Sequence, residues 1–322
     1  MAQSKEFLTG RLMVVAFEGW NDAGEAATGA VQMLKDQLDL ESLAEIDSEE
    51  YFDYQFNRPT TTFDDDGQRV LVWPSASIFG PGATSEGDAE SVADTESASD
   101  GDTGAESDTE TEAGADNVYC LIGTEPSRNW KQFTALVLDV AVAADVTGIV
   151  FLGAMLADVP HTRPISVYST SENAAVRTEL DLERSAYEGP VGILSVIADA
   201  AEKLGIPSVS MWASVPHYVH NAPSPKATLA LIEKLEELID VKITRGDLVD
   251  EAVAWQTGID ALAGEDEEMA TYIQQLEQAR DTVDSPEASG EAIAQEFERY
   301  LRKRGGDGPT AGGPGEPWRS RD

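Results

Sequence analysis

Apolar residues along the chain form short runs that alternate with stretches of helical periodicity. Strands are predicted for six runs, of which LMVVAF is typical of a strand buried on both faces: residues 12–17, 69–73, 118–122, 148–152, 165–168 and 209–213. Apolar positions repeat with helical spacing in four longer stretches: residues 24–38, 129–144, 192–204 and 225–239. This alternation predicts an α/β fold, a mostly parallel sheet with helices on both faces.

Two segments give weaker signals. The letters YFDYQF at residues 51–56 alternate between apolar and polar positions, which predicts a further strand. Residues 75–79 follow the strand that Pro74 ends, and they form either its hairpin partner or its continuation.

The pattern becomes entirely helical after residue 241, where helices are predicted at 247–262, 265–280 and 286–304. We interpret residues 242–304 as a helical appendage that packs on the sheet domain or on a neighbouring subunit. Residues 1–241 then form the sheet domain, and the Gly- and Pro-rich residues 305–322 form a flexible tail.

Charge is concentrated in one segment. Residues 82–116 contain twelve acidic residues, no Lys or Arg, and Val92 as the one bulky apolar residue. Such a segment buries too little apolar surface to offset its ordering entropy, so we expect a disordered acidic insert. With a formal net charge of −38, the chain should repel nucleic acid and anionic lipid but tolerate basic protein partners.

The chain shows no signal for export or membrane insertion. No run of about 18 apolar residues is present, and the first residues lack a basic region followed by an apolar core, so we expect a cytoplasmic protein. The single cysteine, Cys120, lies in a predicted buried strand and is interpreted as an inert core thiol.

The loop after the first strand, with the letters EGWNDAGE, is the densest group of special residues. Its glycines do not follow G-x-G-x-x-G, and the carboxylates of Glu18, Asp22 and Glu25 would compete with a phosphate for the helix amides. Asp22 and Glu25 have the spacing of a capping box for the following helix. Trp20 is either a core residue or an interface anchor.

Other loops follow the carboxyl ends of further parallel strands and should meet this loop at one edge of the sheet, which we call the rim. These loops contribute Glu125, Arg128 and Trp130 after one strand, and Asp158, His161 and Arg163 after the next. The rim is either a ligand pocket or a subunit-contact surface. The candidate binding or interface residues are Glu18, Trp20, Asn21, Asp22, Glu125, Arg128, Trp130, Asp158, His161 and Arg163.

No catalytic, metal or cofactor site is predicted. The sequence lacks G-x-S-x-G, P-loop and H-E-x-x-H motifs. His217 and His220 stand three residues apart in a proline-rich loop, without a third ligand or a regular element to orient them for zinc.

Several separated segments together resemble the actinobacterial branch of the proteasome assembly chaperone family, the second member of the eukaryotic chaperone pair. They are VVAFEGWNDAGEAATGA, YFDYQFNRPT, LIGTEPSRNW, FLGAMLADVPHTRP and GPVGILSVIADAAEKLGIPSVSMWASVPHYV. The resemblance implies a three-layer α/β/α sandwich similar to the phosphorylase/hydrolase-like fold, and oligomeric proteins that hold proteasome subunits during assembly.

We therefore expect a non-enzymatic, homo-oligomeric assembly factor that acts through protein–protein contacts, with proteasome subunits as partners. The alternative is a small-molecule-binding protein or enzyme that uses a rim pocket, by analogy with the phosphorylase-like architecture.

Overall fold

The computed structural model describes residues 6–47, 49–64, 66–82, 117–220, 222–239 and 241–283. The predicted acidic insert beyond Gly82, the predicted helix at 286–304 and the predicted tail at 305–322 lie outside the described residues. The division into a sheet domain ending at residue 241 and an appendage starting at 242 stays a prediction.

The described residues contain nine strands and seven α-helices. The strands are β1 (Arg11–Glu18), β2 (Glu41–Ile46), β3 (Thr60–Phe63), β4 (Arg69–Val72), β5 (Ala76–Gly80), β6 (Val118–Thr124), β7 (Val146–Ala157), β8 (Val167–Thr170) and β9 (Ser208–Pro216). The helices are α1 (Ala26–Gln37), α2 (Trp130–Ala143), α3 (Ala174–Leu180), α4 (Ile193–Leu204), α5 (Pro225–Ile239), α6 (Leu248–Gly264) and α7 (Glu267–Val283).

Seven strands form one mixed sheet in the order β2-β5-β6-β1-β7-β9-β8. The four central strands, β6, β1, β7 and β9, are parallel to one another, whereas β5, β2 and β8 join antiparallel at the two sides. The prediction of a parallel sheet therefore describes the centre and not the margins, where long connections bring the outer strands back in the antiparallel direction.

Helices cover both faces of this sheet, which gives the predicted three-layer α/β/α sandwich. Alternate residues of β1 enter opposite cores: Val14 and Ala16 pack with α1 and α5, while Val15 and Phe17 pack with α2 and α4. Because both faces of β1 are buried, it needs the continuous apolar run seen in its sequence.

Cys120 lies fully buried in β6, as predicted, and burial raises the pKa of its thiol above the ordinary value.

Two local predictions were wrong. Residues 51–56 form turns instead of a strand, although Tyr51 and Phe52 are buried. Strand β5 is neither the hairpin partner nor the continuation of β4, because β4 pairs with β3 in a separate two-stranded sheet while β5 pairs with β2 and β6.

Helices α6 and α7 follow the sandwich and pack on the same chain. Helix α6 packs against α5, and α7 packs against α6. The described residues thus show contacts within the chain, and packing on a neighbouring subunit stays a prediction.

A close approach of two strands makes Gly123 necessary. A Cβ at this position of β6 would lie 2.2 Å from the carbonyl oxygen of Ser75 and 2.4 Å from Cα of Ala76, and both are backbone atoms. We expect Gly123→Ala to lower the free energy of unfolding by about 1–3 kcal/mol, since the two strands must separate.

Urea denaturation measures this change. The matched control is Gly258→Ala in α6, where an added Cβ has no neighbour within 4 Å. That control should raise stability by up to about 1 kcal/mol, because alanine is the better helix former. Equal unfolding midpoints for the Gly123 variant and the wild-type protein would contradict the inferred crowding.

Candidate functional site

The ends of β1 and β6 border a cleft of about 460 Å³ at the rim, which we call the rim cleft. Four of the predicted residues, Glu18, Trp20, Glu125 and Trp130, line it. The Glu18 carboxylate accepts a hydrogen bond from the Thr124 hydroxyl at 3.0 Å. The indole of Trp130 donates to the carbonyl oxygen of Pro126 at 2.5 Å.

Asn21 lies beneath this cleft and is almost completely buried. Its side-chain amide donates to Oε1 of Glu125 at 2.9 Å, and the backbone N–H of Ile193 donates to the same oxygen at 2.9 Å. Glu125 therefore joins the loop after β1 to the first turn of α4, where a carboxylate also interacts favourably with the helix dipole. A Cβ at residue 192 would lie 2.4 Å from Oδ1 of Asn21, so Gly192 permits the approach.

The Asp22 carboxylate binds the N-terminus of α1, but not as a capping box. It accepts hydrogen bonds from the backbone N–H of Ala27 at 2.6 Å and of Thr28 at 3.3 Å, and from the Thr28 hydroxyl. The predicted pairing with Glu25 was wrong, because a short 3₁₀ turn intervenes and Glu25 itself precedes α1 with φ of 51°. Burial raises the pKa of Asp22 to about 6, although the hydrogen bonds from Thr28 and Ala27 oppose this increase.

Arg128 contacts the segment that precedes the two-stranded sheet of β3 and β4. Its Nη2 lies 2.9 Å from Oδ2 of Asp53, and its backbone N–H donates to the carbonyl oxygen of Tyr51 at 3.2 Å. The loop after β6 is thus held against residues 51–57.

His161 lies within the contact between the rim and α6. The ring is buried, with Nε2 at 3.0 Å from Oδ1 of Asp260 and Nδ1 at 2.8 Å from the Tyr218 hydroxyl. Burial lowers the pKa of His161, while the hydrogen bond and charge of Asp260 act in the opposite direction. Lys226 donates to the His161 carbonyl oxygen at 2.6 Å and to Gln256 of α6 at 2.7 Å.

Arg163 makes the corresponding contact with α7. Its Nε and Nη2 each lie 2.8 Å from a carboxylate oxygen of Asp281, and its Nη1 lies 3.3 Å from Oε1 of Glu277. The neighbouring Thr162 hydroxyl also donates to Glu277. Asp158 contacts α7 as well, because the Tyr272 hydroxyl donates to it at 3.4 Å. The predicted trio therefore attaches the C-terminal helices to the rim.

His217, which follows β9, belongs to the same contact. Nδ1 of His217 lies 3.3 Å from Oδ1 of Asp158, and its ring packs edge-to-face against Tyr272. His220 Nδ1 lies 2.8 Å from the His217 carbonyl oxygen. Across the described ranges, no group of three or more His, Cys, Asp or Glu side chains is arranged to hold a metal ion.

A second cavity, of about 790 Å³, was not predicted from the sequence. It lies between α4, the end of β8, the start of β9 and residues 184–192, and we call it the α4 groove. Trp20 borders both the groove and the rim cleft, and Trp212 lies in its wall. The one sequence signal was a tryptophan within a predicted buried strand, at residue 212.

Among the helices of the described residues, none has the length and apolar character to cross a membrane.

These features define a three-layer α/β/α protein whose rim carries a pair of helices. The sequence profile of the PAC2 family matches residues 16–263, so the chain belongs to the PAC2 family, and the family prediction is confirmed. No curated protein matches the chain in sequence.

Three solved structures are similar over most of the chain. A PAC2 family protein from Streptomyces avermitilis is 39% identical, with 81% of this chain and 98% of that chain covered and a TM-score of 0.65. The proteasome-assembly chaperone homologue of Mycobacterium tuberculosis is 37% identical, with 81% and 99% covered and a TM-score of 0.64. A protein of unknown function from Mycobacterium tuberculosis is 25% identical, with 92% and 90% covered and a TM-score of 0.71.

The raised pKa of Asp22 predicts a pH-dependent stability. Since the folded state holds this proton more tightly than the unfolded state, with a pKa of about 6 against 3.8, lowering the pH from 7 to 5 favours folding through this group. Asp22→Asn removes that contribution, so the stability of the variant relative to wild type should fall by about 1 kcal/mol between pH 7 and pH 5.

Chemical denaturation at the two pH values measures this difference. Asp139→Asn, on the exposed side of α2, serves as the control and should change nothing between the two conditions. A pH-independent difference between Asp22→Asn and wild type would show that the buried carboxylate stays ionised throughout.

The Arg163 contacts predict that one substitution loosens α7. Arg163→Met keeps most of the aliphatic stem but removes the ion pairs with Asp281 and Glu277. Amide hydrogen exchange in α7 should accelerate by roughly tenfold, because local opening no longer breaks these contacts. The control is Arg69→Met in β4, and unchanged exchange in α7 of the Arg163 variant would exclude this attachment.

Proposed function

We propose that this PAC2 family protein is a non-enzymatic assembly factor that acts through protein–protein contacts, with proteasome subunits as partners. The observation that supports this most strongly is the 37% identity to the proteasome-assembly chaperone homologue of Mycobacterium tuberculosis, 99% of which is covered. We further propose that the protein acts in the cytoplasm as a homo-oligomer, and that the predicted rim residues contribute to its contacts.

The two-stranded sheet of β3 and β4, continued to Trp73, supports a contact mechanism, and we call residues 60–73 the arm. Its apolar side chains are unusually accessible: Phe63 is 73% exposed and Leu71 is 57% exposed. A two-stranded sheet without a covered face is marginally stable in water by itself. Apolar surface of this extent on a small element is typical of protein interaction sites.

The arm also offers two modes of contact at once. In the part of the chain that the structure describes, β3 and β4 pair only with each other, so the outer edge of each strand can accept an added strand. Phe63, Leu71 and Trp73 can meanwhile pack against an apolar surface of a partner.

The rim pocket of the alternative function is supported less well. Arg163 and His161, the groups that would bind an anion or transfer a proton, are engaged by Asp281 and Asp260 of the C-terminal helices. Helices α6 and α7 therefore cover the part of the rim that contains His161 and Arg163. The other part of the rim forms the rim cleft.

Affinity capture from the native cell tests the proposal. Tagged wild-type protein should recover proteasome subunits, and Phe63→Ser/Leu71→Ser should recover at least about tenfold less, because a contact depends on few central apolar side chains. The control is Leu204→Ser/Leu262→Ser, which removes two leucines of comparable exposure from α4 and α6. Wild-type protein that repeatedly recovers no proteasome subunit would refute the assembly role, and equal recovery by the arm variant would refute the arm's part in it.

A further inference from the structure

The α4 groove has the dimensions of a ligand site. Its volume of about 790 Å³ lies within the range of roughly 300–1,000 Å³ that small-molecule sites occupy. One wall is the sheet near the start of β9, a second is α4, and the third is the chain between residues 184 and 192. None of the residues that attach α6 and α7 lies in these walls.

Hydrogen bonds between α4 and neighbouring elements define one side of the groove. Glu202 of α4 accepts hydrogen bonds from the Ser208 backbone N–H at 3.0 Å and from the Asn173 side chain at 3.1 Å, which fixes α4 relative to β9. In the outer wall, the Tyr187 hydroxyl donates to the Pro190 carbonyl oxygen at 2.8 Å. The first set of bonds positions α4 beside β9, and the last one stabilises a turn within the outer wall.

Two indoles supply the aromatic surface. Trp20 lies at one end of the groove, outside the buried core, and is 44% exposed. Trp212 lies over β7, where a Cβ at residue 153 would come within 2.7 Å of its ring carbons Cε3 and Cζ3. Because Gly153 has no Cβ, the indole of Trp212 can lie directly over β7 and face the groove.

The charged groups of the lining are mostly carboxylates: Glu172, Glu188, Asp199 and Glu202, against the single cation Arg184. Arg184 is already paired with Glu172, with Nε at 2.6 Å from Oε2. Glu202 is occupied by its two hydrogen bonds, and Asp199 pairs with the exposed Lys203 of the same helix, a contact that solvent weakens. A bound anion would meet this uncompensated negative field, whereas a cation would be attracted by it.

We propose that the α4 groove binds a guanidinium cation, stacked on the indoles of Trp20 and Trp212 and paired with the carboxylates of Glu188 and Asp199. A planar guanidinium suits this lining better than an ammonium, because it stacks on aromatic rings and is more weakly hydrated. The cation belongs either to an arginine side chain of a protein partner or to a free guanidino compound. This site is separate from the arm and does not depend on the proposed assembly role.

Calorimetric titration of the full chain tests the site with matched probes. Argininamide and acetyl-Gly-Arg-Gly-amide both carry the guanidinium, whereas citrullinamide keeps the α-amino group of argininamide and replaces the guanidinium with a neutral ureido group of nearly the same shape. We expect the guanidinium probes to bind, citrullinamide to bind at least about tenfold more weakly, and affinity to decrease with salt. Tighter binding of the peptide identifies a protein source, and equal or weaker binding of the peptide identifies a free guanidino compound.

Variants locate the binding in the groove. Glu188→Gln/Asp199→Asn keeps the shape of the lining and should weaken argininamide and peptide binding by at least about tenfold. Glu267→Gln/Glu268→Gln in α7 removes the same charge outside the groove and should leave affinity within about twofold of wild type. Thermal unfolding monitored by circular dichroism confirms that both variants are folded. The proposal would be overturned if neither guanidinium probe bound at millimolar concentration. It would also be overturned if citrullinamide bound as tightly as argininamide, or if the two double variants weakened binding equally.

Discussion

The rest of the molecule depends on the position of β1, which is buried on both faces and hydrogen-bonded along both edges. Parallel pairing with β6 and β7 places the loops after these strands at one rim. The chain after β1 continues this pairing, since the Ala154 backbone N–H donates to the Asn21 carbonyl oxygen at 2.8 Å. The loop is thereby held deeply enough that Asn21 and Asp22 are buried, where the Asn21 amide donates to Glu125 and the Asp22 carboxylate accepts from the N-terminus of α1.

Scarce positive charge is used where elements of this acidic chain must be joined. With 22 Lys and Arg residues against 60 Asp and Glu, most carboxylates cannot be paired. Arg163 and Lys226 nevertheless lie at the contact between the rim and the C-terminal helices, where each interacts with more than one group. Repulsion between acidic helices and an acidic rim is thus offset locally.

The accessible surfaces of the protein differ in chemistry. The arm is a two-stranded sheet that exposes large apolar side chains, which suits the protein contacts proposed for it. The α4 groove is acidic and aromatic, which suits a cation. Trp20, which stands at the tip of β1, borders both the rim cleft and the groove, so the segment GWNDAG contributes to the walls of two cavities.

The sequence by itself determined the α/β class, the central strands and most helices, because a run such as LMVVAF can be satisfied only by burial on both faces. Its separated segments also determined the family. Only the tertiary structure decided that residues 51–56 are turns, that β5 leaves the β4 hairpin, and that Asp22 binds Ala27 and Thr28 instead of pairing with Glu25. It likewise decided that His161 and Arg163 hold helices, and that Trp20 and Trp212 share a groove, because these partners lie far apart in the chain and no local spacing encodes their meeting.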